Sequence, residues 1–402
     1  MRFWEFKEYK KGKAGQLKGK DSFKKSKPGG NETPHPARGK LVGENLKEAK
    51  VGREYQHLED LVFVKGSAGA LEAADILEKL GSDSGDVAIK WDGNPTIYWG
   101  REPDGQFVLV GKNGWGKNKS TSSKDLSNFI KSSGKGVEEE PWRKEFAREM
   151  SEIFDVMERS TPSEFRGYVY GDLLYSPRKS FTKADGGLAF TPNKVTYTVD
   201  TKSELGKRIA GSKVGLVVHQ KYDEWGSKEG TPIEDVQELN SQEAVVLGQT
   251  YVTHQPKVDT KAVDAVRQKA KKYAGDIDKF LAGTQGLSNP AGIIYTFMNH
   301  STRMKQLDNI NVESFFEWLK TSKVSQGQQA KLADMDKANA RALPEMFDLI
   351  KQVMAAKDNI IDQLDNADAD VKASTAGEKG GEGYVALGSK TKLVPRTRWQ
   401  PN

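Results

Sequence analysis

Hydrophobic spacing divides the chain into a mixed first part and a helical second part. Between about residues 56 and 225, short apolar runs of strand length alternate with segments of helical spacing. From about Val258 to Leu364, apolar residues recur every three or four positions almost without interruption, which predicts a helical bundle. Strand-like runs return at Tyr384–Leu387 and Lys392–Pro395. We therefore predict an α+β protein with an inserted helical block, whose last strands return to the first sheet.

The same spacing predicts the individual elements of the first part. Helices are predicted at Ala68–Leu80, Lys124–Ser132 and Trp142–Arg159. Strands are predicted at Val87–Trp91, Thr96–Trp99, Phe107–Val110, Gly167–Tyr175, Lys194–Val199 and Gly215–His219. The low-complexity stretch Ala373–Gly381, which follows the helical block, is predicted to be a loop.

Composition limits the chemistry open to the chain. It has 402 residues and no cysteine, which excludes disulfide bonds, zinc–thiolate sites and a cysteine nucleophile. No apolar run approaches the ~18 residues that a membrane span needs, and the first residues lack the apolar core of a signal peptide. We therefore expect a monomeric protein of the cytoplasm (the host cytoplasm if the source is a virus) with no membrane partner.

Positive charge is concentrated at the N-terminus. Residues 1–50 contain 14 lysines and arginines against 6 acidic residues, a net charge of +8, whereas the whole chain carries +6. This composition predicts a flexible basic arm that binds the phosphate backbone of a nucleic acid, the alternative being a solvated tail that aids solubility. Further candidate phosphate contacts in the helical block, each of which could equally lie on a solvated helix face, are Lys269, Lys271, Lys272 and Arg303.

The strongest chemical signal is Lys90-Trp91-Asp92-Gly93, which follows an apolar strand. A lysine amine at a strand end can attack a phosphorus or carbonyl centre once its proton is removed. Gly93 is expected to let the backbone approach a ligand.

Three later segments add charged residues at strand ends. They are Tyr170-Gly171-Asp172-Leu173, Glu382-Gly383-Tyr384-Val385 and Lys390-Thr391-Lys392. Each has an ordinary structural explanation when taken alone. Asp172 could be a turn carboxylate, Glu382 could lie in a solvated loop, and the two lysines could protect an edge strand.

In this order the four motifs resemble those of the covalent nucleotidyltransferase superfamily, which contains ATP-dependent DNA ligases, RNA ligases and mRNA capping enzymes. Phage RNA-ligase-like proteins are the nearest group, and the run from His57 onward is similar to tailed-phage proteins with little assigned function. The resemblance implies a ligase adenylation domain of antiparallel sheets flanked by helices, with an inserted helical domain and no C-terminal OB domain. The implied segments are an arm (1–50), the first part of the nucleotidyltransferase domain (51–257), the insertion (258–372) and the return strands (373–402).

The resemblance also implies a role for each motif residue. Lys90 would attack the α-phosphate of ATP, and Lys390 and Lys392 would neutralise charge on that phosphate. Asp172 and Glu382 would hold Mg²⁺ or Mn²⁺, or the ribose hydroxyls. The remaining expected roles are cofactor binding by Gly93 and Lys112 and stacking of adenine on Tyr197. Asp92 would support the metal's water shell or orient Lys90.

Three features of the sequence leave details of the resemblance to this superfamily open. The strand Gly215–His219 is the second choice for the adenine-stacking strand, with His219 itself expected to be structural. The superfamily usually has Glu where this chain has Asp172. It also has Arg close behind the lysine motif, where this chain has Asn94-Pro95 and its nearest arginine is Arg101.

We expect an ATP-dependent polynucleotide ligase that forms Lys90-AMP and seals 5′-phosphate to 3′-hydroxyl ends of RNA, DNA or mixed strands. One alternative is a guanylyltransferase or another nucleotidyltransferase. The other is a non-catalytic phage structural protein that binds nucleic acid through its basic arm.

Overall fold

The computed structural model describes residues 56–82, 87–132, 141–184, 186–233, 235–283, 287, 290–389 and 391–399. The arm predicted at 1–50 and the site residue Lys390 lie outside the described residues. Within the described part, helices and several antiparallel sheets form an α+β architecture, as the sequence predicts.

Eleven α-helices occur in the described residues. They are Asp60–Lys65 (α1), Ser67–Ser82 (α2), Ser123–Ser132 (α3), Pro141–Ser160 (α4), Glu204–Gly211 (α5), Thr260–Lys272 (α6), Ala274–Gly283 (α7), Pro290–Arg303 (α8), Val312–Thr321 (α9), Gln326–Ala338 (α10) and Ala342–Asn366 (α11). Side chains cap several helix starts, which satisfies backbone N–H groups that have no partner within the helix. Asp259 accepts two of these bonds at α6, and Asn311 and Ser314 form a capping box at α9.

Fifteen strands occur in the same residues. They are Gln56–His57 (β1), Val87–Ile89 (β2), Thr96–Arg101 (β3), Phe107–Gly111 (β4), Gly167–Tyr175 (β5), Thr182–Ala184 (β6), Gly187–Phe190 (β7), Val195–Val199 (β8), Val214–Tyr222 (β9), Thr231–Pro232 (β10), Ala244–Leu247 (β11), Val371–Thr375 (β12), Glu378–Lys379 (β13), Tyr384–Ala386 (β14) and Thr391–Leu393 (β15).

The strands form three sheets. A six-stranded sheet has the order β10-β9-β5-β3-β4, with β11 also paired to β9. A four-stranded sheet has the order β1-β15-β14-β2, and a five-stranded sheet has the order β13-β12-β8-β7-β6. Strands from the end of the chain therefore pair with strands from its first half, β12 with β8 and β14 with β2.

Each face of the six-stranded sheet has a different cover. Alternation along β3 and β5 directs Trp99, Val169 and Leu173 to one face, where they pack with α3 and α4 in a hydrophobic core. The other face carries Tyr98 and Tyr170 in an aromatic cluster, and toward one end it packs with the five-stranded sheet. The candidate site residue Asp172 belongs to this second face, because it lies two positions from Tyr170 in β5.

The helical block packs on the first helices of the domain and on the four-stranded sheet. One continuous core joins α1 and α2 to α6–α9 and α11, and it includes Tyr384 of β14 and Leu393 of β15. Buried ion pairs cross this core: Lys357 of α11 donates to Glu59 at 2.8 Å, and Arg396 donates to Glu59 at 2.6 Å. The Arg396 guanidinium also donates to Asp60. These pairs fix the last strand against helices that begin the described chain.

The prediction of a loop at Ala373–Gly381 is wrong. Residues Val371–Thr375 form β12, which pairs with β8 over its whole length, and Glu378–Lys379 form β13 in a hairpin with it. The small and polar residues of this stretch hide the strand, because its pairing with β8 comes from tertiary structure. None of the described helices is long and apolar enough to cross a membrane.

Candidate functional site

Lys90 lies just beyond the end of β2, where the four-stranded sheet passes into the six-stranded sheet. Its backbone N–H donates to the carbonyl of Gly383 at 2.9 Å, which continues the pairing of β2 with β14. Its ammonium group forms an ion pair with Glu382, and the two side chains are 25% and 19% exposed. The structure therefore brings the predicted nucleophile and the predicted glutamate together in a site that solvent still reaches.

Burial and three charged neighbours determine the pKa of the Glu382 carboxyl. Burial raises the pKa of the Glu382 carboxyl, and the charge of nearby Asp92 raises it further. Lys90, through its ion pair, and Lys392 hold this pKa lower, although the net direction remains upward. A carboxylate with a raised pKa is a better proton acceptor than a solvated one. Glu382 is therefore suited to exchange a proton with its lysine partner.

Asp92 holds the loop that carries Lys90 against the turn before β8. Its carboxylate accepts the side-chain amide of Asn193 at 2.9 Å and the backbone N–H of Lys194 at 3.1 Å. Its own N–H donates to the Tyr197 hydroxyl at 2.6 Å. This fixed position is consistent with the predicted orienting role of Asp92.

Gly93 lies in close contact with β5. A Cβ atom there would lie 2.6 Å from Cβ of Asp172 and 3.0 Å from the carbonyl oxygen of Leu173. The N–H of Asn94 donates to that same carbonyl at 2.8 Å. The glycine therefore lets the Lys90 loop lie directly on β5, beside Asp172, and its predicted approach to a ligand stays a prediction.

Asp172 lies within β5 and is not a turn carboxylate. One of its oxygens accepts the Thr96 hydroxyl from β3 at 2.6 Å. The other lies 3.0 Å from Nε2 of His219 on β9. His219 thus contacts a candidate site residue while 35% of its side chain remains exposed, and the structural role predicted for it stays a prediction.

Tyr197 cannot stack on a base in this structure, so the prediction for it is wrong. The residue is fully buried, and its ring packs against Trp91 and Phe190 with centroid distances of 4.6 and 5.8 Å. Alternation within β8 directs it into the core between the sheets. The second-choice strand, which is part of β9, is the one that lies beside Asp172.

Two lysines and one arginine are the remaining candidate site residues. Lys112 begins an exposed turn directly after β4, and Lys392 lies in β15 opposite Val385. Arg101 cannot replace the missing arginine behind the lysine motif. Its guanidinium donates to four backbone carbonyls, those of Gly105, Glu158, Thr161 and Pro162, and so ties β3 to the end of α4.

An aromatic group that was not predicted from the sequence lies on the open face of the six-stranded sheet. Tyr98 stacks on Trp115 with a centroid distance of 4.3 Å and on Tyr170 with a distance of 5.0 Å. The Tyr170 ring lies 5.2 Å from the His219 ring. The signal was present in the sequence, because Tyr98, Tyr168 and Tyr170 occupy facing positions of strands with a period of two.

The predicted metal ligands do not form a protein cage. In the part of the chain that the structure describes, no group of three His, Asp or Glu residues could hold a metal ion. This arrangement is compatible with Mg²⁺, which commonly binds one or two carboxylates together with substrate phosphates and water. The roles predicted for Asp172 and Glu382 in metal binding stay predictions.

Comparison with protein families identifies relatives of the whole described region. The family model that matches residues 54–400 is that of a family of unknown function, DUF6267. The chain belongs to the DUF6267 family. The match spans all of the site residues named above, from the Lys90 loop to β15. No curated protein and no solved structure matches the chain.

Proposed function

We propose that this DUF6267 protein is a nucleotidyltransferase that forms a covalent Lys90-nucleotide intermediate, with ATP as the nucleotide donor. The observation that carries the proposal is the ion pair between Lys90 and Glu382, both partly exposed, beside Asp92 and Lys392. The order of the four motifs along the chain supports the same assignment.

The first step would be attack of the Lys90 amine on the α-phosphorus of ATP. The N–P bond forms, the bond between the α-phosphorus and the bridging oxygen breaks, and pyrophosphate leaves. The ammonium proton has to depart before the attack, and Glu382 is the acceptor in contact with it. Lys392 supplies positive charge near Glu382, which favours the charge that develops on the phosphate.

Nucleotide binding would use the open face of the six-stranded sheet. Tyr170, which is partly exposed, provides a ring near Asp172, and it takes over the stacking role first assigned to Tyr197. Mg²⁺ or Mn²⁺, entering with the phosphates, would supply further positive charge at the transferred group. Glu382 is the carboxylate best positioned to reach such an ion, because it lies next to the attacking amine.

The second half of the proposal is that the nucleotide passes to a nucleic-acid 5′-phosphate, which a 3′-hydroxyl then displaces, as in a polynucleotide ligase. The net charge of +8 in residues 1–50 supports a polyanionic partner. Lys269 is withdrawn as a phosphate contact, because its amine already pairs with Glu345 at 2.9 Å and with Asp348.

Incubation of the purified protein with α-labelled ATP or GTP and Mg²⁺ tests the proposal. A covalently labelled protein supports nucleotidyl transfer, and the nucleotide that labels separates an adenylyl from a guanylyl donor. Nicked and single-stranded DNA and RNA, added to the labelled protein, then test ligation. Binding of nucleic acid without any labelling would instead favour a non-catalytic binding protein.

A further inference from the structure

His219 lies at an irregularity in the pairing of β9 with β5. Tyr170 pairs with Gln220, but the next residue of β5, Gly171, pairs with Val218. His219 is therefore the extra residue of a β-bulge. Bulges re-aim side chains and are frequent beside active sites. Here Val218 packs under the sheet with α3 and α4, whereas His219 turns to the open face.

The contacts of the His219 ring define which of its nitrogen atoms is available. Nε2 lies 3.0 Å from Oδ2 of Asp172, whose other oxygen accepts the Thr96 hydroxyl. A carboxylate only accepts hydrogen bonds, so the proton of a neutral imidazole lies on Nε2. Nδ1 then presents a lone pair, and among the described residues the ring makes no other hydrogen bond.

We propose that His219, oriented by Asp172, is the residue that recognises a ribose hydroxyl of the nucleotide at this site. The proposal rests on the proposed function, because it concerns the same nucleotide. A sugar hydroxyl can both donate and accept a hydrogen bond, so it is a suitable partner for Nδ1. Asp172 acts through His219 as a positioning residue.

The location of the Asp172–His219 pair, here called the dyad, fits this role. Gly93 holds the Lys90 loop against Asp172, so the loop that carries the amine nucleophile borders the pair formed by Asp172 and His219. The Tyr170 ring borders His219 on the same face and offers a surface for the base. A nucleotide with its α-phosphate at Lys90 and its base near Tyr170 would bring its ribose to the dyad.

The test measures initial rates of covalent labelling over a range of concentrations of ATP, 2′-deoxyATP and 3′-deoxyATP. Wild-type protein, His219→Gln, His219→Asn and the control His254→Gln, which changes an exposed histidine, are compared. Gln retains a donor for Asp172 at the position of Nε2 but loses the acceptor at Nδ1. Asn retains an acceptor near Nδ1 and loses the bond to Asp172.

We expect wild-type protein to prefer ATP over one of the two deoxynucleotides by about threefold to tenfold, the range for one neutral hydrogen bond. His219→Gln should raise the half-saturating ATP concentration by the same factor, leave the maximal rate within twofold, and remove the preference. His219→Asn should retain part of the preference for ATP, and His254→Gln should retain the whole preference.

Two results would overturn the inference while leaving the proposed function intact. One is labelling of wild-type protein with no preference between ATP and either deoxynucleotide. The other is a preference that survives in His219→Gln. A fall in maximal rate with unchanged half-saturation would mean that His219 only supports the sheet. Absence of labelling in wild-type protein would overturn the proposed function, and this inference with it.

Discussion

The ion pairs around Lys90 and those around Lys357 contain the same kinds of side chain but differ in their access to water. Lys90 and Glu382 remain partly exposed at a junction between sheets, whereas Lys357 and Glu59 are both 0% exposed within the largest core. Lys357 also donates to the carbonyl of Val394.

This difference in burial separates a site for chemistry from a site for stability. Lys357 and Arg396 hold the pKa of the Glu59 carboxyl far below its usual range, against the effect of burial. At Glu382 the effect of burial prevails over that of the lysines, and the pKa of the carboxyl is raised. A stabilising pair keeps both charges permanently, whereas a reactive pair has to give up a proton.

The largest effect is expected at Lys90. Lys90→Ala should abolish covalent nucleotide labelling, because the amine forms the bond to phosphorus. The protein should remain folded, because Glu382, whose pKa burial raises, can take up a proton once its partner is removed. Labelling assays together with urea unfolding test both expectations. The matched control Lys65→Ala removes an exposed lysine that pairs with Glu72 and should retain full labelling. Wild-type labelling of Lys90→Ala would remove this residue from the mechanism.

The buried cluster of Lys357, Glu59 and Arg396 should show the opposite result, a loss of stability. Lys357→Met should lower the free energy of unfolding by about 3–5 kcal/mol, because it leaves the Glu59 charge buried with one partner fewer. Urea unfolding monitored by tryptophan fluorescence gives the value. Adding Glu59→Gln to Lys357→Met should recover part of the loss. A loss below about 1 kcal/mol would show that the cluster behaves like a surface pair.

Glu382→Gln tests the ion pair of Lys90 and Glu382 by changing its acidic partner. Labelling should fall at least about 100-fold, equivalent to roughly 2.7–4 kcal/mol, because the proton acceptor at Lys90 is lost. The control Glu378→Gln changes an exposed glutamate in β13 and should leave the rate unchanged. Near-normal labelling of Glu382→Gln would assign proton removal to another group.

The smallest effect is expected at an exposed pair of similar geometry. Lys65 lies 2.7 Å from Glu72, and both side chains are exposed. Lys65→Ala should change the free energy of unfolding by only about 0.2–1 kcal/mol, since water screens both charges. A loss comparable to that of Lys357→Met would mean that burial does not explain the contrast between the two clusters.

The spacing of hydrophobic residues predicted those helices and strands whose own residues determine them. The helix predicted at Ala68–Leu80 occurs as Ser67–Ser82, and the strand predicted at Gly167–Tyr175 has those bounds in the structure. The strand Val371–Thr375 was not predicted, because its residues are small or polar and its pairing partner is more than 170 positions away. Such a strand depends on the rest of the fold.

The candidate site was predictable to the extent that short motifs specify it. The order of motifs pointed to Lys90 and Glu382, which the fold brings into contact. It could not reveal that Tyr197 is buried or that Arg101 binds backbone carbonyls, because both depend on neighbouring elements. Nor could it reveal that His219 contacts Asp172, because the two residues lie on different strands.

The central claim is that Lys90 carries the nucleotide. The most direct measurement is mass spectrometry of the whole protein after incubation with ATP and Mg²⁺, followed by peptide mapping. The account predicts a single added AMP, linked as an acid-labile phosphoramidate to the peptide that contains Lys90. An unmodified protein under these conditions, or AMP found on a different lysine, would contradict it.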